Sequence, residues 1–61
     1  MDDYDKRRIE AIEAIDKLGR GARSRCAFEL RKHPSIISDV LRGNRRSEET
    51  LALIGKWLSG T

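Results

Sequence analysis

Basic side chains are concentrated in the middle of this chain. Residues 20–46 contain eight basic and two acidic residues, a net charge of +6, whereas the segments before and after them are slightly acidic. Seven of the eight basic residues are arginine, whose planar guanidinium can hold a phosphate through two hydrogen bonds at once. A solvated basic surface would fit the same composition. The local excess of arginine nevertheless favours a nucleic acid as the binding partner.

The side chains that most often perform catalysis are few and scattered. The chain has one histidine, His33, one cysteine, Cys26, and no acidic pair placed against a nucleophile, so we expect no enzyme. Cys26 falls on the apolar side of a helical pattern and is expected to be a small buried hydrophobe. No cluster of metal ligands and no cofactor motif accompanies it. A lone thiol suits the reducing cytoplasm, and no apolar run approaches the roughly 20 residues of a membrane span.

The clearest predicted helix begins at His33-Pro34 and ends just before Gly43. Proline is favoured at the first helical position, and glycine just past the last apolar residue is the matching stop signal. Three apolar residues recur at the spacing of one helical face: Ile37, Val40 and Leu41. The opposite side carries polar residues: Ser35, Ser38, Asp39 and Arg42. A helix of this kind can pack one face on a core and enter a DNA groove with the other.

The rest of the chain predicts three further helices around a shared core. The expected bounds are Asp3 to Leu18, Ala22 or Arg23 to Arg31, and, after a Ser47 cap, Glu48 to Leu58. The expected inward residues are Ala11, Ile12, Ala14, Ile15 and Leu18, then Cys26, Ala27 and Leu30, then Leu51, Ile54, Gly55 and Leu58. Phe28 is expected at the edge of the core. We expect one small domain over residues 1–61.

Apolar, glycine and arginine residues recur over residues 23–60 in a pattern whose complete spacing is shared by one protein family. Its centre is the pattern Pro34-Ser35-x-Ile37-Ser38-x-Val40-Leu41-x-Gly43-x-Arg45-Arg46. Matching buried positions lie on either side of that centre: Ala27, Leu30, Thr50-Leu51, Ile54 and Leu58. In this spacing the chain resembles the helix-turn-helix of lambdoid phage repressors and Cro-like, or XRE-type, regulators. The resemblance implies an all-α fold, a small four-helix domain of the lambda-repressor kind.

Two residues in the predicted turn depart from the family pattern. Arg31 stands where the family usually has glycine, and Lys32 stands where it usually has a small or apolar residue. A non-glycine residue at positive φ costs about 1 kcal/mol. Lys32 can lay its methylene stem on apolar surface and keep its ammonium in water. We therefore expect the turn to form, with some strain at Arg31.

The resemblance also implies a division of labour on DNA, because the start of the family's recognition helix reads base edges in the major groove. The residues it assigns to base reading are Pro34, Ser35, Ser38 and Asp39, and we expect Arg42 to reach a base as well. The residues it assigns to the phosphate backbone are Arg23, Arg45 and Arg46. We expect Asn44 to lie at the backbone beside them, and His33 either to cap the helix or to contact a phosphate. The implied partner is double-stranded DNA with a pseudo-palindromic operator, bound by a homodimer that forms at least on DNA.

Several alternatives remain open at this stage. Asp39 can accept a hydrogen bond from a cytosine amino group, or it can form an ion pair with Arg42 one helical turn away. Trp57 with Leu53 can form a dimer interface, or Trp57 can cover the first helix as part of the core. The implied function is that of a transcriptional regulator of the phage repressor or Cro kind. An antitoxin or controller protein of a two-gene module, or a protein-interaction module without DNA binding, would also fit.

Overall fold

The computed structural model describes residues 2–60, which form four α-helices joined by short turns. The helices are α1 (Asp3–Lys17), α2 (Ala22–Leu30), α3 (Pro34–Arg42) and α4 (Glu48–Ser59). Within the described range there is no strand. The expected all-α class is confirmed, and each helix lies within one residue of its predicted bounds.

The ends of α3 and α4 lie where local sequence signals predict them. The His33 ring accepts a hydrogen bond from the Ser35 backbone N–H and caps the start of α3. The Ser47 hydroxyl accepts one from the Thr50 N–H at 3.1 Å and caps α4, which satisfies a backbone donor that the helix itself leaves unpaired. Gly43 ends α3 in the left-handed region at φ 88°, where glycine has no steric penalty.

The core is built from the apolar stripes of all four helices. Its buried hydrophobic residues are Tyr4, Ala11, Ile15, Ala22, Cys26, Ala27, Ile37, Val40, Leu41, Leu51 and Ile54. The three apolar residues of α3 that the periodicity selects are all fully buried. Cys26 is also fully buried, which confirms that it packs as a small hydrophobe. The polar face of α3 is consequently turned away from the core.

Three expectations about the core are wrong. Phe28 is not at the edge of the core, because 83% of its surface is exposed. It follows the buried Cys26 by two residues, and positions two apart lie on nearly opposite sides of a helix. Gly55 is exposed and does not belong to the inner stripe of α4. Leu18 is 40% exposed, because α1 ends at Lys17 and Leu18 occupies the cap position after it.

The turn between α2 and α3 has the geometry that the sequence predicts. Arg31 adopts φ 58° and ψ 41° and is the only non-glycine residue with positive φ among residues 2–60. The Lys32 N–H donates to the Ala27 carbonyl at 2.9 Å and closes the end of α2. The Lys32 side chain is 27% exposed and its ammonium lies 4.0 Å from Glu49. The chain therefore reverses within residues 31–33 and forms a helix-turn-helix.

Candidate nucleic-acid interface

The residues assigned to base reading lie on the outward side of α3. Pro34, Ser35 and Arg42 are exposed, while Ser38 and Asp39 are half-buried. They share one side of the helix because the opposite side is occupied by its three core residues. The structure therefore brings together the polar side chains that the sequence groups by helical spacing.

The first polar side chain on this side of α3, that of Ser35, already forms a hydrogen bond within the protein. The His33 Nδ1 accepts the Ser35 N–H at 3.1 Å, and the Ser35 hydroxyl lies 2.8 Å from the same nitrogen. The hydroxyl donates to this nitrogen or accepts from it according to the tautomer of the ring. Contact of the Ser35 hydroxyl with a base edge therefore competes with its contact to His33. His33 forms the cap of α3, and its placement beside a phosphate remains a prediction.

Asp39 does not form the ion pair with Arg42 that its spacing allows. Among the described residues, no cation lies within salt-bridge distance of its carboxylate. Its backbone carbonyl instead accepts the N–H groups of Asn44 and Arg45 at 2.9 and 3.2 Å. The chain after α3 is thereby folded back over the last turn of the helix. The Asp39 carboxylate stays available on the outward side, close to the loop that follows.

This loop, residues 43–46, carries two adjacent arginines in different surroundings. Arg45 is exposed and forms no side-chain hydrogen bond or ion pair within residues 2–60. Arg46 lies 3.3 Å from Asp2 and 3.8 Å from Glu48, and its guanidinium lies 4.2 Å from the centre of the Tyr4 ring. Both arginines were assigned to phosphate by resemblance, yet only Arg45 is uncommitted.

The other arginines of residues 20–46 also fall into two groups, those with an acidic neighbour and those without one. Arg23 lies 3.7 Å from Asp16 and is partly buried. The other basic residues of this region that have no ion pair in the described part of the chain are Arg20, Arg25, Arg31 and Arg42. All four are exposed. The available positive charge therefore lies on the outer sides of α2 and α3, at the turn between them, and on the two loops that flank this pair of helices.

Leu53 and Trp57, the predicted dimer contacts, are both half-buried on α4. The Trp57 indole N–H donates to the Glu29 carboxylate of α2 at 2.7 Å, and Trp57 also packs against the edge of the core. The indole N–H is thus directed towards α2, not towards α1. The side chain is only partly covered, so it keeps apolar surface at the junction of α2 and α4.

Tyr4 and Arg8 of α1 contact the two ends of the basic loop, although the sequence analysis did not select them. The Tyr4 hydroxyl accepts the Ser47 N–H at 2.9 Å, and the Arg8 guanidinium donates to the Leu41 carbonyl at 2.7 Å. One sequence signal could have found Arg8. It follows Tyr4 by four residues and so lies on the buried stripe of α1, where a charged residue requires a partner.

The thiol of Cys26 lies in surroundings that disfavour its thiolate form. Burial, together with the nearby Glu29 carboxylate, raises the pKa of Cys26, so the unreactive thiol form is favoured. Among residues 2–60, no three His, Cys, Asp or Glu side chains lie close enough together to hold a metal ion.

Comparison with known proteins assigns no family and no function to this chain. No protein-family model, curated protein or solved structure matches the chain. Within residues 2–60, no helix is long and apolar enough to cross a membrane. The likeness to the repressor and Cro-like regulators therefore rests on the spacing of residues in the sequence alone.

Proposed function

We propose that this protein binds double-stranded DNA, inserts α3 into the major groove and acts as a transcriptional regulator of the phage repressor or Cro kind. One observation carries the proposal. The outward side of α3 and the loop after it form a single polar surface with uncommitted arginines, Arg42 and Arg45, at its end. In this mode Arg45 and Asn44 contact phosphates and fix the register, while α3 contacts base edges.

Direct base readout by this surface is modest. Pro34 has no donor and offers only apolar contact, for example to a thymine methyl. The Ser35 hydroxyl can donate or accept, and Asp39 accepts from the amino group of cytosine. A carboxylate near phosphates is tolerated best where arginines surround it, and Arg42 and Arg45 lie in the adjoining turn and loop. Most of the affinity is therefore electrostatic and falls steeply with salt.

A homodimer on a pseudo-palindromic operator follows from the size of the reading element. α3 has nine residues, a length of about 14 Å, and can read only a few base pairs. Two copies bound at half-sites about one helical turn apart would double the readout. We propose Leu53 and Trp57 as the dimer contact, because they retain apolar surface outside the DNA-binding side. The proposal implies a cytoplasmic location.

The direct test is a fluorescence titration of mixed-sequence duplex DNA with the protein at several low salt concentrations. The wild type should bind, and Arg45→Ala should flatten the slope of log K against log salt by about 0.9. The matched control is Lys56→Ala, which makes the same charge change at an exposed position of α4. An equal change of slope in both variants would overturn the assignment of Arg45 to a phosphate.

The second arm asks which residues read sequence. Operators are first selected from a random DNA pool, and Asp39→Ala is then compared with the wild type on the selected and altered sites. The expected penalty is roughly 1–3 kcal/mol at one base pair, with an almost unchanged salt slope. If Asp39→Ala lowered the affinity equally for every DNA sequence and left the base preference unchanged, α3 would not lie in the major groove. If Asp39→Ala changed only the slope of log K against log salt, Asp39 would lie beside the phosphate backbone of the DNA and not at a base edge.

A protein-interaction module is the second candidate, and the exposure of Phe28 is the observation that favours it. Phe28 is 83% exposed and lies on α2 three residues after Arg25 and three residues before Arg31, which follows the helix. A large exposed aromatic residue flanked by arginines is typical of a protein contact. The absence of duplex binding at low salt would favour this candidate. An antitoxin or controller protein would combine both surfaces, with DNA on α3 and a protein on α2.

A further inference from the structure

Arg8 of α1 supplies the partner that the end of α3 requires. The last four carbonyls of a helix have no partner within that helix. The Asp39 and Val40 carbonyls accept N–H groups of the following loop, whereas the Leu41 carbonyl accepts the Arg8 guanidinium at 2.7 Å. A cation at this end also complements the helix dipole. Arg8 thus fixes the point at which the chain leaves α3.

The same side chain lies next to Gly43. A Cβ at Gly43 would lie 3.6 Å from the central carbon of the Arg8 guanidinium, an ordinary van der Waals contact, and the Asp5 carboxylate lies 3.5 Å from the Nε of the same side chain. The Arg8 side chain is only 19% exposed, so it cannot easily leave this position. The first residue of the basic loop is consequently packed against α1.

Tyr4 holds the opposite end of the loop. Its hydroxyl accepts the N–H of Ser47, the residue that caps α4, and only 3% of Tyr4 is exposed. The face of its ring supports the Arg46 guanidinium at 4.2 Å. Asp2 and Glu48 bind the edges of that guanidinium. Both ends of the loop are therefore attached to α1, and Arg46 is part of the attachment.

We infer that Tyr4 and Arg8 are positioning residues that present Arg45 to a DNA phosphate, and that Arg46 fastens the loop to α1 and does not bind phosphate. This inference rests on the proposed DNA binding. Its physical basis is that a loop fixed before binding does not have to be ordered during binding. Arg45 lies between the two attachment points and is the side chain whose orientation they determine.

The test is a double-mutant cycle on duplex DNA with wild type, Arg8→Met, Arg45→Ala and the double variant. Met keeps an unbranched stem and removes the guanidinium. The affinity lost through Arg45→Ala should be at least about threefold smaller in the Arg8→Met background than in the wild type, since residues that act together are coupled. Lys6→Met, an exposed position on the same helix, makes the same charge change and should leave the Arg45→Ala loss unchanged.

Two further variants separate positioning from simple destabilisation. Arg8→Lys keeps a donor and the charge near the Leu41 carbonyl and should restore part of the coupling. Tyr4→Phe removes only the hydrogen bond to Ser47, and it replaces Arg8→Met in the cycle if that variant is unfolded by circular dichroism. Backbone amide relaxation of Asn44 and Arg45 in the protein without DNA should show increased motion in Arg8→Met but not in Lys6→Met.

The outcomes distinguish the inference from the function on which it rests. If the wild type does not bind duplex DNA, the proposed function fails and the role of Arg45 fails with it. If the wild type binds and Arg45→Ala causes the same loss in both backgrounds, the DNA-binding proposal stands and the positioning role is overturned. A loss of salt slope in Arg46→Ala as large as that in Arg45→Ala would likewise overturn the assignment of Arg46.

Discussion

Replacing Arg31 by glycine should stabilise the protein. Arg31 has φ 58° and ψ 41°, and the left-handed region costs an L-residue roughly 1–2 kcal/mol, partly offset by about 0.5–1 kcal/mol of extra backbone entropy that glycine loses on folding. The side chain is exposed and forms no ion pair or side-chain hydrogen bond among the described residues, so its removal breaks no contact. The expected gain in the free energy of unfolding is about 0.5–1 kcal/mol.

Circular dichroism at 222 nm during urea and thermal unfolding measures this gain. For a domain of this size about 1 kcal/mol corresponds to 4–8 °C, so the melting temperature of Arg31→Gly should rise by about 2–8 °C. The urea midpoint should rise with an unchanged m-value, because the surface exposed on unfolding stays the same. The helical signal of the folded state should not change.

Two control variants isolate the backbone effect. Arg31→Ala removes the same charge but keeps the Cβ, so it should not reproduce the gain. Gly43→Ala introduces a Cβ at φ 88° and should destabilise the protein by about 1 kcal/mol. If Arg31→Gly were no more stable than Arg31→Ala, the turn in solution would not hold Arg31 in the left-handed region, and the placement of α3 against α2 would need revision.

Three further perturbations test the core, the dimer and the start of α1. Val40→Asp should abolish the helical signal at 25 °C, because an unpaired buried carboxylate costs several kcal/mol and Val40 is fully buried; a fully helical variant would contradict this packing. Trp57→Ala should weaken homodimer association in sedimentation velocity, and an unchanged constant in a folded variant would exclude Trp57 from the interface. The Tyr4 N–H, and then Arg46, lower the pKa of Asp2, so its stabilisation is present above about pH 3.9 and is lost as the pH falls through the folded pKa. Asp2→Asn should flatten this acid dependence in equilibrium unfolding, and an identical dependence in both proteins would refute the role of Asp2.

The helix positions could be predicted because their signals are local. Pro34 and Gly43 limit α3 through fixed φ and freedom at positive φ, and Ser47 caps α4 through its own hydroxyl. None of these signals depends on residues far along the chain, so composition and spacing were sufficient.

Phe28 was expected at the edge of the core, although its helical spacing from Cys26 predicts an exposed residue. Aromatic residues are usually buried, and that general preference suggested a place at the edge of the core. The helical position of residue 28, two residues after the buried Cys26, argues the opposite. Helical geometry prevailed over residue type here, because α2 is short and its inward side is already filled by Ala22, Cys26 and Ala27.

The difference between Arg45 and Arg46 was beyond the reach of sequence reasoning. The two residues are adjacent and chemically identical, and the resemblance assigned both to phosphate. What separates them is Asp2, 44 positions before Arg46, and the ring of Tyr4 beneath the guanidinium. Contacts between residues so far apart in the sequence depend on how the start of α1 packs beside the start of α4, and no local sequence pattern determines that packing.

The role of the acidic residues at positions 2–5 becomes evident only in the folded protein, where they form ion pairs. Asp2, Asp3 and Asp5 each contact an arginine, at 3.3, 3.1 and 3.5 Å respectively. The segment therefore does more than complement the dipole of α1, because it neutralises the basic residues nearest to that helix. The arginines left without an acidic neighbour lie on the side of α2 and α3. Of the eight basic residues counted between positions 20 and 46, Arg23, Lys32 and Arg46 have an acidic neighbour, so five remain available for an anionic partner.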